Sequence, residues 1–312
     1  MTQMTLSFSG SERRVGVEIE LTGLEPHDVA QLVQARFGGD IQVRGPHVFD
    51  VVGTTHGTFE CELDMRAAKT ADNVAPGSLQ EVSARIAGDV GQFLLPVEIV
   101  CPPIEASAMS QIDALAHDLR AAGAKGSGDN LLRACGLQLN PEIRSDNASD
   151  VARTLRAYVI LSDWLRREID VDLTRQTLGY AEPFPKGYTT LIAAPGYHAD
   201  WPKLIDDYLQ FNPTRNRELD MLPLFAWMDD GRVRAVVQSG LVKARPTYHY
   251  RLPNTAFEKV DWSPIHEWHR WLTVERLADD EQRLNSAAEA FLNHQDRWFG
   301  AAWADRVEEF IA

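Results

Sequence analysis

An α+β fold is the class this sequence predicts, and three observations carry it. Residues Arg14 to Leu21 alternate apolar and polar side chains, the period of a strand with one buried face. Two further strand-like runs, His47 to Val52 and Thr58 to Met65, flank Gly53-Thr54-Thr55-His56-Gly57 as the arms of a hairpin would. Helical stretches then interleave with strands irregularly along the rest of the chain. With 312 residues, 44% of them hydrophobic, the chain has enough apolar surface for one elaborated domain over 1–312.

Taken in order, the first strand opposes Val15, Val17, Ile19 and Leu21 to Gly16, Glu18 and Glu20, so its polar face carries two carboxylates. Pro26 to Phe37 places Val29, Leu32, Val33 and Phe37 at helical spacing, and Gly38-Gly39 supplies the stop. In the second hairpin arm Glu60, Glu62 and Asp64 share a face. Leu79 to Leu94 reads as a helix, and Val97 to Cys101 as a short buried strand closed by Pro102-Pro103. Ser107 to Ala122 is a helix ended by Gly123; after the loop 125–128, Ala134 to Asn140 returns to a strand. Ala148 to Ile169 is a long helix with apolar Val151, Leu155, Val159 and Leu165.

Arg175 to Asn212, rich in proline, glycine and aromatic residues, reads as a loop-rich insertion with short helices, of the kind lids are made from. Thr247 to Leu252 is strand-like, and Ser263-Pro264 gives an N-cap followed by a first-turn proline. The remainder, 263–312, is a helical C-terminal part. Trp262, Trp268, Trp271, Trp298 and Trp303 read there as packing anchors rather than ligand-stacking groups.

The formal net charge of -14 argues against nucleic acid or an anionic membrane surface as the main partner. No stretch reaches the roughly 18 consecutive apolar residues a spanning helix needs, and the first residues lack an apolar signal core. A soluble, cytoplasmic protein is expected. Cys61, Cys101 and Cys135 lack CxxC spacing and are expected to be reduced and buried.

Five pieces carry candidate chemistry. Glu18 and Glu20, side by side on one strand face, repel unless a cation compensates, and magnesium bound through oxygen is the usual compensation; the alternative is the solvated face of an edge strand. Glu98 is a lone acid in an apolar strand and needs a metal, a cation or a protonated partner unless it lies at the surface. Gln138 and Asn140 share a strand face and by themselves say little. Lys243, Arg245, Thr247, His249 and Arg251 fall at alternate positions, a candidate phosphate or carboxylate site or else a charged edge, with Pro246 interrupting the register. Asn212 to Arg217 is a turn presenting Arg215 and Arg217, either an anion clamp or a helix-start loop.

In this order the pieces resemble the amidoligase family, relatives of gamma-glutamylcysteine synthetase and glutamine synthetase. The resemblance runs from Arg14 to Asn254: a G-V-E-x-E strand at Gly16 to Glu20, an E-I-V-x-P-P strand at Glu98 to Pro103, Gly136 to Asn140, the Arg215-Asn216 turn, and Thr247 to Arg251. It implies a glutamine synthetase-like catalytic fold, a curved, mainly antiparallel sheet forming a funnel with helices outside. It implies an ATP-dependent carboxylate-amine ligase working through an acyl phosphate on a small-molecule or peptide carboxylate and an amine. Magnesium ligands would be Glu18, Glu20 and Glu98, with Glu62, Gln138 and His249 joining them. Arg251 and Arg215 would stabilise the transferred phosphoryl group, and Lys243, Arg245, Arg217 and Arg251 would hold the nucleotide phosphates. Two positions depart from the pattern: Gln138 stands where a histidine is usual and His249 where a glutamate is usual. A metal-dependent amide hydrolase and a catalytically weakened nucleotide- or peptide-binding relative are the alternatives. The substrates, the number of ions and the oligomeric state are not legible.

Overall fold

The computed structural model describes residues 5–64, 96–127, 135–171, 181–295 and 302–311. Its strands are β1 (Arg14–Leu21), β2 (Asp40–Gly45), β3 (Val48–Thr54), β4 (Gly57–Leu63), β5 (Val97–Glu105), β6 (Leu137–Pro141), β7 (Leu219–Asp220) and β8 (His249–Tyr250). They form a single antiparallel sheet, not closed, of order β2-β3-β4-β5-β1-β6-β8-β7. The helices among the described residues are α1 (Pro26–Phe37), α2 (Met109–Ala121), α3 (Ala148–Ile169), α4 (Lys186–Ala193), α5 (Trp201–Phe211), α6 (Leu222–Val236), α7 (Pro264–Asp279), α8 (Glu281–Gln295) and α9 (Trp303–Val307).

The alternation in β1 decides which sheet face is covered. Val15, Val17, Ile19 and Leu21 are fully buried, while Gly16, Glu18 and Glu20 on the other face are half-buried. Helices cover the apolar face: Phe37 of α1 stacks on Phe59 of β4, and Tyr158 of α3 and Trp271 of α7 both pack against Tyr250 of β8. A buried ion pair ties α7 to the entry of β1. Arg13 donates two hydrogen bonds to Glu275, at 2.6 and 2.7 Å, and Trp271 Nε1 donates to the same carboxylate.

Several boundaries differ from the sequence expectation. β5 does not close at Pro102-Pro103 but continues to Glu105. The β1–β5 register shifts between Val15 and Val17, opposite the prolines, so their missing N–H groups fall where the ladder is already interrupted. β2 was not expected; it is an edge strand in which no residue is fully buried, so it carries no strong alternation. β8 is shorter than Thr247 to Leu252, yet the chain keeps beside β6 through bridges at Thr247 and Asn254. Ser263 stands at the N-cap of α7, but its hydroxyl donates to Asp113 rather than capping its own helix.

The described part of the expected insertion, 181–212, holds two short helices, α4 and α5. Pro202 sits in the first turn of α5 and Pro185 at the N-cap of α4, where proline starts a helix instead of breaking one. Phe184, Tyr188 and Tyr208 then join Tyr158 and Phe225 in a chain of buried aromatic rings. The described part of this stretch therefore packs as core on the helical side. The expected helix 79–94, the position Trp298 and residues 175–180 lie outside the described residues. All three cysteines are buried, and burial pushes the Cys61 thiol up to about 12. Among the described residues no helix is long and apolar enough to cross a membrane.

Candidate active site

Strand register assembles the carboxylates. Glu20 of β1 pairs across to Glu98 of β5, and Glu98 pairs across to Glu62 of β4, so three acids form one row over three adjacent strands. Directly opposed residues in antiparallel strands lie about 5 Å apart at Cβ, and like charges there are unfavourable. Glu98 in the middle is only 3% exposed. The next row carries Glu60, Val100, Glu18 and Gln138. Glu60 is neutralised by Arg44, which also pairs with Asp50, so of the acidic hairpin arm it is Glu62 that extends the row.

β6 orients the β1 acids. The Gly136 N–H donates to Glu20 Oε2 at 2.6 Å. Glu18 Oε1 accepts from Asn140 Nδ2 at 2.9 Å and Gln138 Nε2 at 3.2 Å. Gly16 gives Asn140 its room, since a Cβ at position 16 would lie 3.2 Å from Asn140 Cβ. The amide of Gln138 also reaches Asn140 Oδ1 (2.8 Å) and His249 Nδ1 (3.1 Å). One NH2 group has two protons, so it serves two of these three acceptors at a time.

His249 is 6% exposed, and burial together with Arg251, Arg245 and Arg215 pushes its pKa well below the ordinary histidine value, so the ring is neutral. When Nδ1 accepts from Gln138 the ring proton lies on Nε2, a buried atom that has no hydrogen-bond partner among the described residues. Across the β7–β8 ladder His249 faces Asp220. Asp220 is fully buried, with Arg215 Nε 3.8 Å from its Oδ2 and the Leu222 N–H bonded to Oδ1. Burial pushes its pKa up to about 6 against the pull of Arg251, the Leu222 N–H and Arg215.

A raised folded-state value means that the folded protein holds this proton more tightly than the unfolded chain. The group's contribution to stability is therefore complete at low pH and is lost as pH rises through about 6. Asp220→Asn is expected to raise Tm relative to wild type at about pH 7.5 and to change it little at about pH 4. Scanning calorimetry at both values checks this; an equal shift at both would contradict the linkage.

The sheet face is thus divided. Carboxylates occupy β4, β5 and β1, amides occupy β6, and His249, Asp220 and the arginines occupy the β8–β7 margin. Of the residues singled out in the sequence, Glu18, Glu20, Glu62, Glu98, Gln138 and His249 are brought to this face by register. Arg251, Arg215 and Arg245 act on His249 through their charge. Arg217 is not brought there: its guanidinium bonds Glu182, the Pro183 carbonyl and the Phe211 carbonyl, bracing the turn. Lys243 is exposed on the loop after α6. Sequence reasoning missed Asp220 as a site residue and left Asn140 without a role. The signal for Asp220 was the one that flagged Glu98, an acid inside an apolar run.

The donors on the acidic half are carboxylate oxygens, the set a hard divalent cation takes, and the crowding of three acids in one row suits such an ion. They do not form a ready-made cage: among the described residues no three His, Cys, Asp or Glu side chains converge as a coordination set. Comparison with known proteins bears on the whole of this face. A family model described as "Putative amidoligase enzyme" matches residues 11–273, which span the entire sheet and every residue of the divided face. No curated protein matches the chain.

Proposed function

Because the chain belongs to this amidoligase family, we propose that it is an ATP-dependent carboxylate-amine ligase on a glutamine synthetase-like fold, with magnesium accompanying the nucleotide. The observation that carries the reading is the division of the sheet face. Acids and arginines lie on the same surface, separated by three strand spacings from β5 to β8, roughly 14 Å. That separation gives a polyphosphate a cationic end and a metal-binding end.

The proposed reaction consists of two displacements. An oxygen of the substrate carboxylate attacks the terminal phosphorus of ATP and ADP leaves; the amine nitrogen then attacks the acyl carbon, inorganic phosphate leaves, and the nitrogen gives up a proton. Glu18, Glu20 and Glu98, with Glu62, would hold magnesium through oxygen, which neutralises charge on phosphate oxygens. Arg251 and Arg215 stabilise the charge on the group in flight, and Arg245 adds to the local field. The neutral His249 offers an Nε2–H donor at the same margin, and Asp220 balances the arginines when nothing is bound. Gln138 and Asn140 hold the Glu18 carboxylate in position between the two halves.

Since the charge of Arg251 is needed most in the transition state, Arg251→Ala should lower kcat by about 100-fold or more while changing KM for ATP far less. Steady-state ADP release measures both, and a change confined to KM would contradict the role. One observation favours a second reading. The two amides on Glu18 Oε1 compete with an ion for that oxygen, as they would in a nucleotide- or peptide-binding relative with weakened turnover. ADP release over a panel of acids and amines decides between them: release that depends on both substrates supports the ligase, whereas nucleotide binding without release across the panel supports the binding protein.

A further inference from the structure

On the helical side of the molecule, an open groove of about 940 Å³ runs beside α3 and α8, two helices that also touch one another. Two polar stripes line it. On α3 they are Ser149, Arg153 and Arg156, at the three- and four-residue spacing of one helix face, and on α8 they are the adjacent Asn285 and Ser286 with Glu289 one turn further on. An open groove of this size, lined by polar side chains, has room for a small ligand.

Arg156 is the feature that needs an explanation. Its Nη1 donates to Asn285 Oδ1 at 2.8 Å and its Nη2 to the Ala193 carbonyl at 3.1 Å, which fixes the guanidinium between α3, α8 and the end of α4. Its Nε is buried and has no hydrogen-bond partner among the described residues. Among the described residues no carboxylate pairs with it, and burial lowers its pKa without an acid to offset the cost. A half-buried guanidinium without a counter-charge is unfavourable unless an anion arrives. The opposite wall supplies the complementary sign, since Glu289 lines the cavity and forms no ion pair among the described residues.

We propose that this cleft is a second binding site, separate from the sheet face, for a small zwitterion of the amino-acid class. The ligand carboxylate pairs with Arg156, and the ligand ammonium is held by Glu289 on the α8 wall; Arg153 on the same stripe is already paired with Asp150 at 2.7 Å. The site stands independently of the ligase reading.

Calorimetric titration of the full chain with the common amino acids, with succinate as a carboxylate lacking the amine, and with inorganic phosphate tests this. The comparison uses wild type, Arg156→Gln, Ser286→Trp and Glu98→Gln. Ser286 is exposed, so Ser286→Trp fills the gap without touching the core and remains informative if Arg156→Gln does not fold. The expected result is binding of at least one amino acid that weakens about tenfold or more in both cleft variants, the loss of one charge-assisted contact, and persists in Glu98→Gln. An amino acid bound at the sheet face would show the reverse dependence on the variants. The proposal is overturned if no amino acid binds, if both cleft variants bind as wild type does, or if succinate or phosphate binds as tightly as the best amino acid.

Discussion

Replacing Glu98 with glutamine is expected to lower ATP turnover by at least about 100-fold, the scale associated with losing one principal charge-stabilising contact, while leaving the fold intact. Glu98 sits between Glu20 and Glu62 in the row of acids and is nearly buried. Glutamine keeps its shape and leaves the β4–β5–β1 ladder untouched, so a lost reaction would report lost charge rather than lost structure. Circular dichroism of the variant beside its rate of ADP release separates the two. Turnover within about threefold of wild type would remove Glu98 from the ion site and with it the argument that acid crowding marks that site.

The second large effect concerns stability. Glu275→Gln is expected to destabilise the protein by about 3–5 kcal/mol, because it leaves the fully buried Arg13 guanidinium without its bidentate partner. Arg13 has other contacts, an Nε bond to the Glu142 carbonyl and the ring of Trp268 at 5.4 Å, but neither carries negative charge. Urea unfolding followed by tryptophan fluorescence measures the loss. A change below about 1 kcal/mol would mean that Arg144, whose Nε lies 3.6 Å from Glu275 Oε2, and its partner Asp279 redistribute the charge instead.

The two predictions touch opposite sides of one strand. At its entry β1 is tied to α7 through Arg13, and along its length it alternates between a face buried against helices and a face that presents Glu18 and Glu20. The strand order then sets the chemistry. β6 intervenes between β1 and β8, so the amides of Gln138 and Asn140 keep the acids of β1 from collapsing onto the cationic margin of β8.

How much of this was legible varied with the strength of the local pattern. β1 and α3 have the expected boundaries because each shows sustained periodicity, and Asp170 ends α3 in a left-handed cap. β2 escaped because an edge strand exposed on both faces has no alternation to read, and β7 because two residues make no pattern. The sharing of a face by Glu18 and Glu20, or by Gln138 and Asn140, followed from period two alone. That Glu98 stands opposite both Glu20 and Glu62 did not, since register is a property of the pairing and not of any one strand. Arg215 and Arg217 looked equivalent in the turn. They part because Arg217 meets Glu182 across a bridge formed by sequence-distant backbone, while Arg215 turns toward Asp220.

The account rests on the claim that the divided face binds a magnesium nucleotide. Thermal unfolding with a non-hydrolysable ATP analogue, with and without magnesium, on wild type and on Glu98→Gln tests it directly, because a ligand that binds only the folded state raises Tm by mass action. The predicted result is a magnesium-dependent rise in wild type that Glu98→Gln lacks. No rise in wild type, or the same rise in both proteins, would contradict it.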